Sequence, residues 1–407
     1  MALLVKRICM IVFVLLVCGA LSVAQTMPTL EVRRKALNDL LAEQWEYYLR
    51  TNPLDASSLG DKRWNDKLDD FSQEFIDKDL LETQKFLVRF EAIATTGFPK
   101  QEILNKRLMV RDLKMSLEGA RFKGWEMPET QQSGYHLYLP QLVLILSFQT
   151  VKDYEDYIAR LNQVPRLFDQ TIIQMRKGMA DKLMPPIFLL AKVGDQTTGI
   201  ANQAPVDSPF AKPFKDFPKS ISEKDQARLR DQGIAAIRGA VLPAYAHFAK
   251  FVINDYAPHG RTEVGVWSLP DGDNYYAFRV KRSTTTDLSP EQIHQLGLAQ
   301  VKEIEARMNE VAAQLGYKDR KLFNAAIAAD PKLHAHSRQQ ILDLYTKYID
   351  QMNPKLPELF NRLPKAKLVV LPVEEFREKE ASAASYQDPA MDGSRPGHVM
   401  VNTGDFE

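Results

Sequence analysis

Cysteine is almost missing from this chain of 407 residues: Cys9 and Cys18 are the only two, and both fall in an N-terminal segment that reads as a leader. A mature chain starting at Gln25 holds none, which excludes disulfides and thiolate metal sites. Long apolar runs are lacking as well. The longest, Ile8 to Leu21, is short for a bilayer span and is followed by Ser22-Val23-Ala24, a small-x-small cleavage pattern. With Lys6 and Arg7 ahead of the run, residues 1–24 are expected to be a secretory signal peptide and the protein to be periplasmic or secreted, with no membrane span after cleavage. A lipid anchor on Cys18 is the competing reading, opposed by the bulky Val17 where a small residue belongs. No block of five like charges occurs. Removing Lys6 and Arg7 from 53 basic residues leaves 51 against 52 acidic ones, a net charge of −1, so nothing points to nucleic acid or an anionic surface as partner.

The familiar catalytic signatures are missing too. The seven histidines never form H-E-x-x-H, and there is no G-x-S-x-G elbow, P-loop or G-x-G-x-x-G. His334-Ala335-His336 is the nearest approach to a ligand pair and reads as surface histidines in a loop. Internal repeats and low-complexity tracts are absent.

What is present is helix after helix. Leu37, Leu41, Trp45, Tyr48 and Leu49 share a helical face that Asn52-Pro53 ends, and residues 70–90 and 100–117 repeat the amphipathic pattern. Tyr135 to Pro140 reads as a loop or short strand. Periodicity returns over 151–161 and 165–178. Residues 197–219, with four prolines, read as a long surface loop within one domain. Ser222 starts a long helix in which Pro243 predicts a kink, and Ser337 caps another that runs through Tyr348. Lys367 to Leu371 is the best strand candidate, and the turn Asp392-Gly393-Ser394-Arg395-Pro396-Gly397 leads into a second short strand, 398–402.

The most decipherable stretch is Gly265 to Leu315. In Leu269-Pro270-Asp271-Gly272 the glycine is expected to supply a positive φ. Ser289-Pro290-Glu291-Gln292 combines a cap, a proline at the first helical position and a capping-box partner. From Pro290, Ile293, Leu296, Val301, Ile304, Met308, Val311 and Leu315 form one apolar stripe, which predicts a core helix ended by Gly316. Three features rise above packing chemistry. Tyr275-Tyr276 can place phenols in a cleft or simply pack. Arg395, in its Gly-flanked turn, can clamp a ligand carboxylate or tie the turn to the fold. The Thr284 to Thr286 hydroxyls are expected to satisfy backbone groups at a helix end.

Several segments carry a resemblance: LPDGDNYYAFRVKRSTTTDLSPEQIHQLG, the DGSRPG turn with Val401-Asn402-Thr403, WEYYLRTNPLDASSLG at 45–60, and residues 151–178. Together they resemble the bacterial family called domain of unknown function 885 (DUF885) along essentially the whole mature chain. The resemblance implies a mainly α fold, a large helical body around a deep cleft with a small β element near the C-terminus, similar to zinc carboxypeptidases and oligopeptidases. It implies peptide hydrolysis at a zinc held by a motif resembling H-E-A-x-P-G-H-H, which follows the DGSRPG turn and its strand. No such motif follows here before Glu407. Residues 25–407 are therefore expected to be the N-terminal part of one such domain, without metal ligands or catalytic groups and inactive alone, zinc belonging to the complete domain. By the same resemblance Tyr275, Tyr276, Tyr386, Arg395 and Asn402 match positions lining the approach to a peptide or small-molecule substrate, and Val399 to Val401 resembles a strand along which a peptide pairs by its edge. A non-catalytic peptide-binding or ligand-binding periplasmic protein is the alternative; a separately encoded C-terminal half is a further implied partner.

Overall fold

The computed structural model describes residues 28–375, 377–391, 393 and 395–404. The leader expected over 1–24, with Cys9 and Cys18, lies outside them, as do Asp392 and Ser394 of the turn. Two compact units are distinguished. Helices α1 (Leu30–Thr51), α3 (Gln73–Ala92) and α4 (Lys100–Ala120) supply the first, from residues 28–44 and 85–114. It buries Leu37, Leu40, Phe86, Phe90, Phe98 and Leu113. Arg34 forks onto Glu102 at 2.6–3.1 Å, and Arg33 donates to the Ala94 and Thr96 carbonyls, holding the loop after α3.

The second unit, residues 45–84 and 115–404, contains the main core. Its helices are α2 (Pro53–Ser58), α5 (Tyr135–Ile145), α6 (Val151–Leu161), α7 (Val164–Asp181), α8 (Ile187–Ala201), α9 (Glu223–Ala236) and α10 (Leu242–Phe251). Thr150 and Asp153 form a reciprocal capping box at the start of α6. Tyr154, Tyr157, Phe168, Phe214, Tyr245 and Phe248 are buried together, with Phe168 stacked on Phe248 at 4.7 Å. Each such ring contributes about 1.5–3 kcal/mol by leaving water. Before Pro243 the chain makes a π-helical turn, Ile237–Val241, where the proline was expected to disturb the helix.

Two expectations are corrected in this unit. Tyr135 to Pro140 is helical, the first part of α5, with Pro140 inside it. The segment is apolar nearly all round, so it shows no amphipathic period, and its burial on several sides explains why. Residues 197–219 are not a surface excursion either. Helix α8 runs through Ala201, and a 3-10 segment, Pro209–Phe214, sends Phe210 and Phe214 into the core. Prolines announced an irregular backbone, not an exposed one.

Further along come α11 (Gly272–Thr284), α12 (Pro290–Gln314), α13 (Arg320–Ala329) and α14 (Arg338–Met352). Helix α12 starts with the expected Ser289/Gln292 capping box and stops before Gly316, whose φ is 85°. It is not a core helix. Val301, Ile304, Met308, Val311 and Leu315 are 45–58% exposed, and among the described residues of α12 only Ala312 is buried. Periodicity says which face is apolar; it does not say what covers that face. Thr284 Oγ1 donates to the Val280 carbonyl and accepts from the Thr286 amide, as hydroxyls at a helix end do.

A small sheet closes the described chain: β1 (Leu368–Pro372), β2 (Ala384–Gln387) and β3 (Gly397–Val401), in the order β1-β3-β2. Strand β3 pairs parallel with β1 and antiparallel with β2. Val399 to Val401 therefore offers no edge to a peptide, correcting that expectation: both sides of its backbone are already taken. The sequence reading also lacked β2, a four-residue strand with no β-branched residue.

Candidate functional site

The turn before α11 places the first pair of candidate tyrosines. Asp271, not Gly272, takes the left-handed conformation, with φ 55°. Gly272 is required instead by crowding, since a Cβ there would lie 2.1 Å from the Val266 carbonyl oxygen. Tyr275 then packs on Phe122 with ring centroids 5.2 Å apart, and its phenol oxygen accepts from Arg279 Nη1 at 2.8 Å. It lines a cleft of about 410 Å³ with Asp69, Asp79, Trp125 and Tyr135. Tyr276, the next residue, is exposed and does not line it.

The C-terminal candidates occupy different places. Tyr386 is 57% exposed on β2, and its phenol lies over Gly397, where a Cβ would come within 2.9 Å of the phenol oxygen. Arg395 is buried and donates to the carbonyls of Ser58 (2.7 Å) and Asp388 (2.8 Å), tying the turn to α2. Asn402 Nδ2 donates to the Glu378 and Ala381 carbonyls at 2.7 and 3.1 Å, holding the loop before β2. The cleft that Tyr275 lines has none of Tyr386, Arg395 and Asn402 in its wall.

The structure adds a centre that the sequence did not announce. Asp69, Phe71 and Tyr135 line the first cleft and also a second one, of about 480 Å³. Asp69 accepts the Leu54 amide at 3.3 Å and the Tyr135 phenol at 3.4 Å, both long bonds. Burial pushes its carboxyl up to about 6, the nearby Asp55 adding to the rise while the Leu54 amide and Arg160 oppose it. Behind it Arg160 is fully buried. Its guanidinium donates to the Lys67 carbonyl (2.7 Å), the Trp64 carbonyl (2.9 Å) and Ser57 Oγ (2.9 Å), fixing the segment from α2 to Asp69. One sequence signal for Arg160 existed. It falls on the same face of α6 as Tyr154, Tyr157 and Leu161, where an arginine must find partners.

A buried Glu129–His136 pair lies at the start of α5, with His136 Nε2 3.0 Å from Gln196 Oε1 and the Tyr245 phenol donating to the His136 carbonyl. Gly134 makes room for it: a Cβ there would sit 1.9 Å from Glu129 Oε2. Among the described residues no group of three His, Cys, Asp or Glu is placed to hold a metal ion. These residues do not fit the zinc of the resemblance. His334 and His336 are exposed, and no helix among the described residues is long and apolar enough to cross a membrane.

Fold and clefts together define a mainly α protein with a small three-stranded sheet and paired, acid-bearing clefts near Asp69. The chain belongs to the family described as bacterial protein of unknown function (DUF885), which matches residues 53–407. It is similar in fold to two solved structures, each described as a “putative lipoprotein”. The one from Colwellia psychrerythraea has a TM-score of 0.83 and 23% identity, with 92% of this chain and 68% of that one covered. The one from Shewanella oneidensis, described as of unknown function, has a TM-score of 0.52 and 13% identity, with 93% and 66% covered. The chain thus spans about two thirds of either structure's length, and at these identities the likeness concerns the fold. No curated protein matches it.

Proposed function

We propose that this chain is the peptide-binding body of an exported, metallopeptidase-like DUF885 protein, and that by itself it binds extended peptides without cutting them. The reading is supported by the side of β2 that no described strand covers. The Asn402 amide donates to the Ala383 carbonyl at 2.8 Å, so in this antiparallel pair residues 383, 385 and 387 bond to β3. The backbone groups of Ala384 and Tyr386 consequently face away from the sheet, the Ala384 carbonyl accepting from Ser382 Oγ at 3.3 Å. Among the described residues no strand pairs with that side. A groove of about 320 Å³ reaches β2 at Ser385 and is lined also by Gln131, Gln132, Arg377, Glu380 and Ser382, whose mixed donors and acceptors suit peptide groups. Export is supported by the leader-like sequence of residues 1–24 and by the description of the two similar structures.

Titration with unstructured peptides, unmodified or N-methylated at alternate residues, tests the reading. Tyr386→Pro removes an outward N–H without touching the β2–β3 bonds. One backbone hydrogen bond of about 1 kcal/mol corresponds to a loss of about fivefold in affinity. Equal binding of N-methylated peptides, or unchanged affinity in Tyr386→Pro, would overturn edge pairing. Peptide turnover by the purified chain with added zinc would overturn the reading of binding alone.

A further inference from the structure

We propose that the 480 Å³ cleft beside Asp69 is a second, separate binding site, selective for a single ammonium group carrying an apolar chain. The charges lining it are carboxylates alone, Asp55 and Asp69. Leu54, Phe71, Leu142 and Ile145 make much of the remaining wall apolar. A cleft of this size, mostly apolar with a few convergent polar groups, is the usual form of a small-ligand site. Phe71 and Tyr135 meet edge to face at 5.6 Å within it, and aromatic rings of this kind favour a cation over a neutral head group.

The charges on the wall set the ligand's sign. Asp55 accepts a hydrogen bond from the Tyr48 phenol, which brings no charge. Arg160 acts on the Asp69 carboxyl, but its guanidinium is turned onto the Lys67 and Trp64 carbonyls and Ser57 instead of into the cleft. Neither guanidinium near Asp69 lines the cleft, Arg166 being turned onto the Leu68 and Asp69 carbonyls, so the charge a ligand meets at the wall is that of the carboxylates. A carboxylate or phosphate ligand would meet only like charge, and a divalent cation would find two carboxylates where it needs six or more oxygens.

The groups facing Asp69 are Asp55 and the Leu54 amide from α2, the Tyr135 phenol from α5 and Arg160 from α6, with the Tyr48 phenol beside Asp55 and Arg166 of α7 donating to the Asp69 backbone carbonyl at 3.0 Å. Protonated Asp69 cannot balance an ammonium, so binding below pH 6 must expel its proton, and affinity falls as the solution is acidified.

Hexylammonium, hexanol and hexanoate titrated calorimetrically into the full chain test the assignment. Hexylammonium should bind at pH 8, with hexanol and hexanoate at least tenfold weaker. Asp69→Asn should weaken hexylammonium about tenfold, the equivalent of about 1.4 kcal/mol. At pH 5, buffers of different ionisation enthalpy should reveal a proton released on binding, and at pH 8 none. Ile145→Trp, which fills the cleft from its apolar side, should abolish binding while leaving the acidic pair intact. Equal affinity for hexanol, undiminished binding in Asp69→Asn or Ile145→Trp, or no hexylammonium binding at millimolar concentration would each overturn it.

Discussion

Replacing Arg160 by methionine probes the device that holds the Asp69 segment in place. Methionine keeps an unbranched stem of similar reach but supplies no donor. Four donor–acceptor contacts disappear: Nε to Lys67 O, and Nη2 to Trp64 O, Ser57 Oγ and, at 3.4 Å, Pro53 O. Not every acceptor is orphaned. The Trp64 carbonyl still accepts the Lys67 amide, and the Pro53 carbonyl still accepts Ser57 Oγ. The uncompensated loss is the Lys67 carbonyl together with two short charge-assisted bonds, offset by relief from burying a guanidinium. Those terms leave a destabilisation of about 2–4 kcal/mol. Urea unfolding should show it as a lower midpoint, and hydrogen exchange should place lost protection in residues 53–69 while residues 85–114 keep theirs. Arg160→Lys should fall between, since one ammonium reaches fewer of the carbonyls. A methionine variant within 0.5 kcal/mol of the parent, or more stable than it, would refute the idea that these carbonyls depend on Arg160.

Asp69→Asn should make stability less dependent on pH. Because the folded carboxyl titrates near 6, above its unfolded value, folding is favoured below the unfolded pKa and loses that advantage as pH rises through 6. The full shift corresponds to about 3 kcal/mol, and partial opening to two clefts reduces this to about 1–2 kcal/mol. Urea midpoints should therefore favour the asparagine variant at pH 8 and converge with the parent near pH 4. On α12, Ile304→Gln should change stability by less than about 0.5 kcal/mol and reduce hydrophobic dye binding, where a core position would cost about 2–5 kcal/mol; chemical denaturation separates the two.

Legibility in the sequence followed the range of the interactions. Caps are made within three or four residues, so Ser289 with Gln292 and Ser337 with Gln340 were readable, as was the disturbance before Pro243. Burial is decided by distant partners. The α12 stripe was readable as a stripe while its exposure was not, and Phe210 and Phe214 looked like loop residues because nothing nearby records the helices that enclose them. The centre at Asp69 was hidden for the same reason: Asp55, Asp69, Tyr135 and Arg160 come from four separate segments, and each alone reads as a turn residue, a packing ring or a surface charge. Of the tyrosine pair, Tyr275 lines a cleft and Tyr276 does not, a difference of one residue's rotation about α11 that spacing could not resolve.

The order β1-β3-β2 has a consequence for how the polypeptide is made. Strands β1 and β2 leave the ribosome first, yet among the described residues they do not pair with each other, and the strand that each pairs with is β3. Until residues 397–401 have been synthesised, both wait without their strand partner, so this corner of the molecule assembles after the helices upstream and needs shelter from other nascent chains in the meantime.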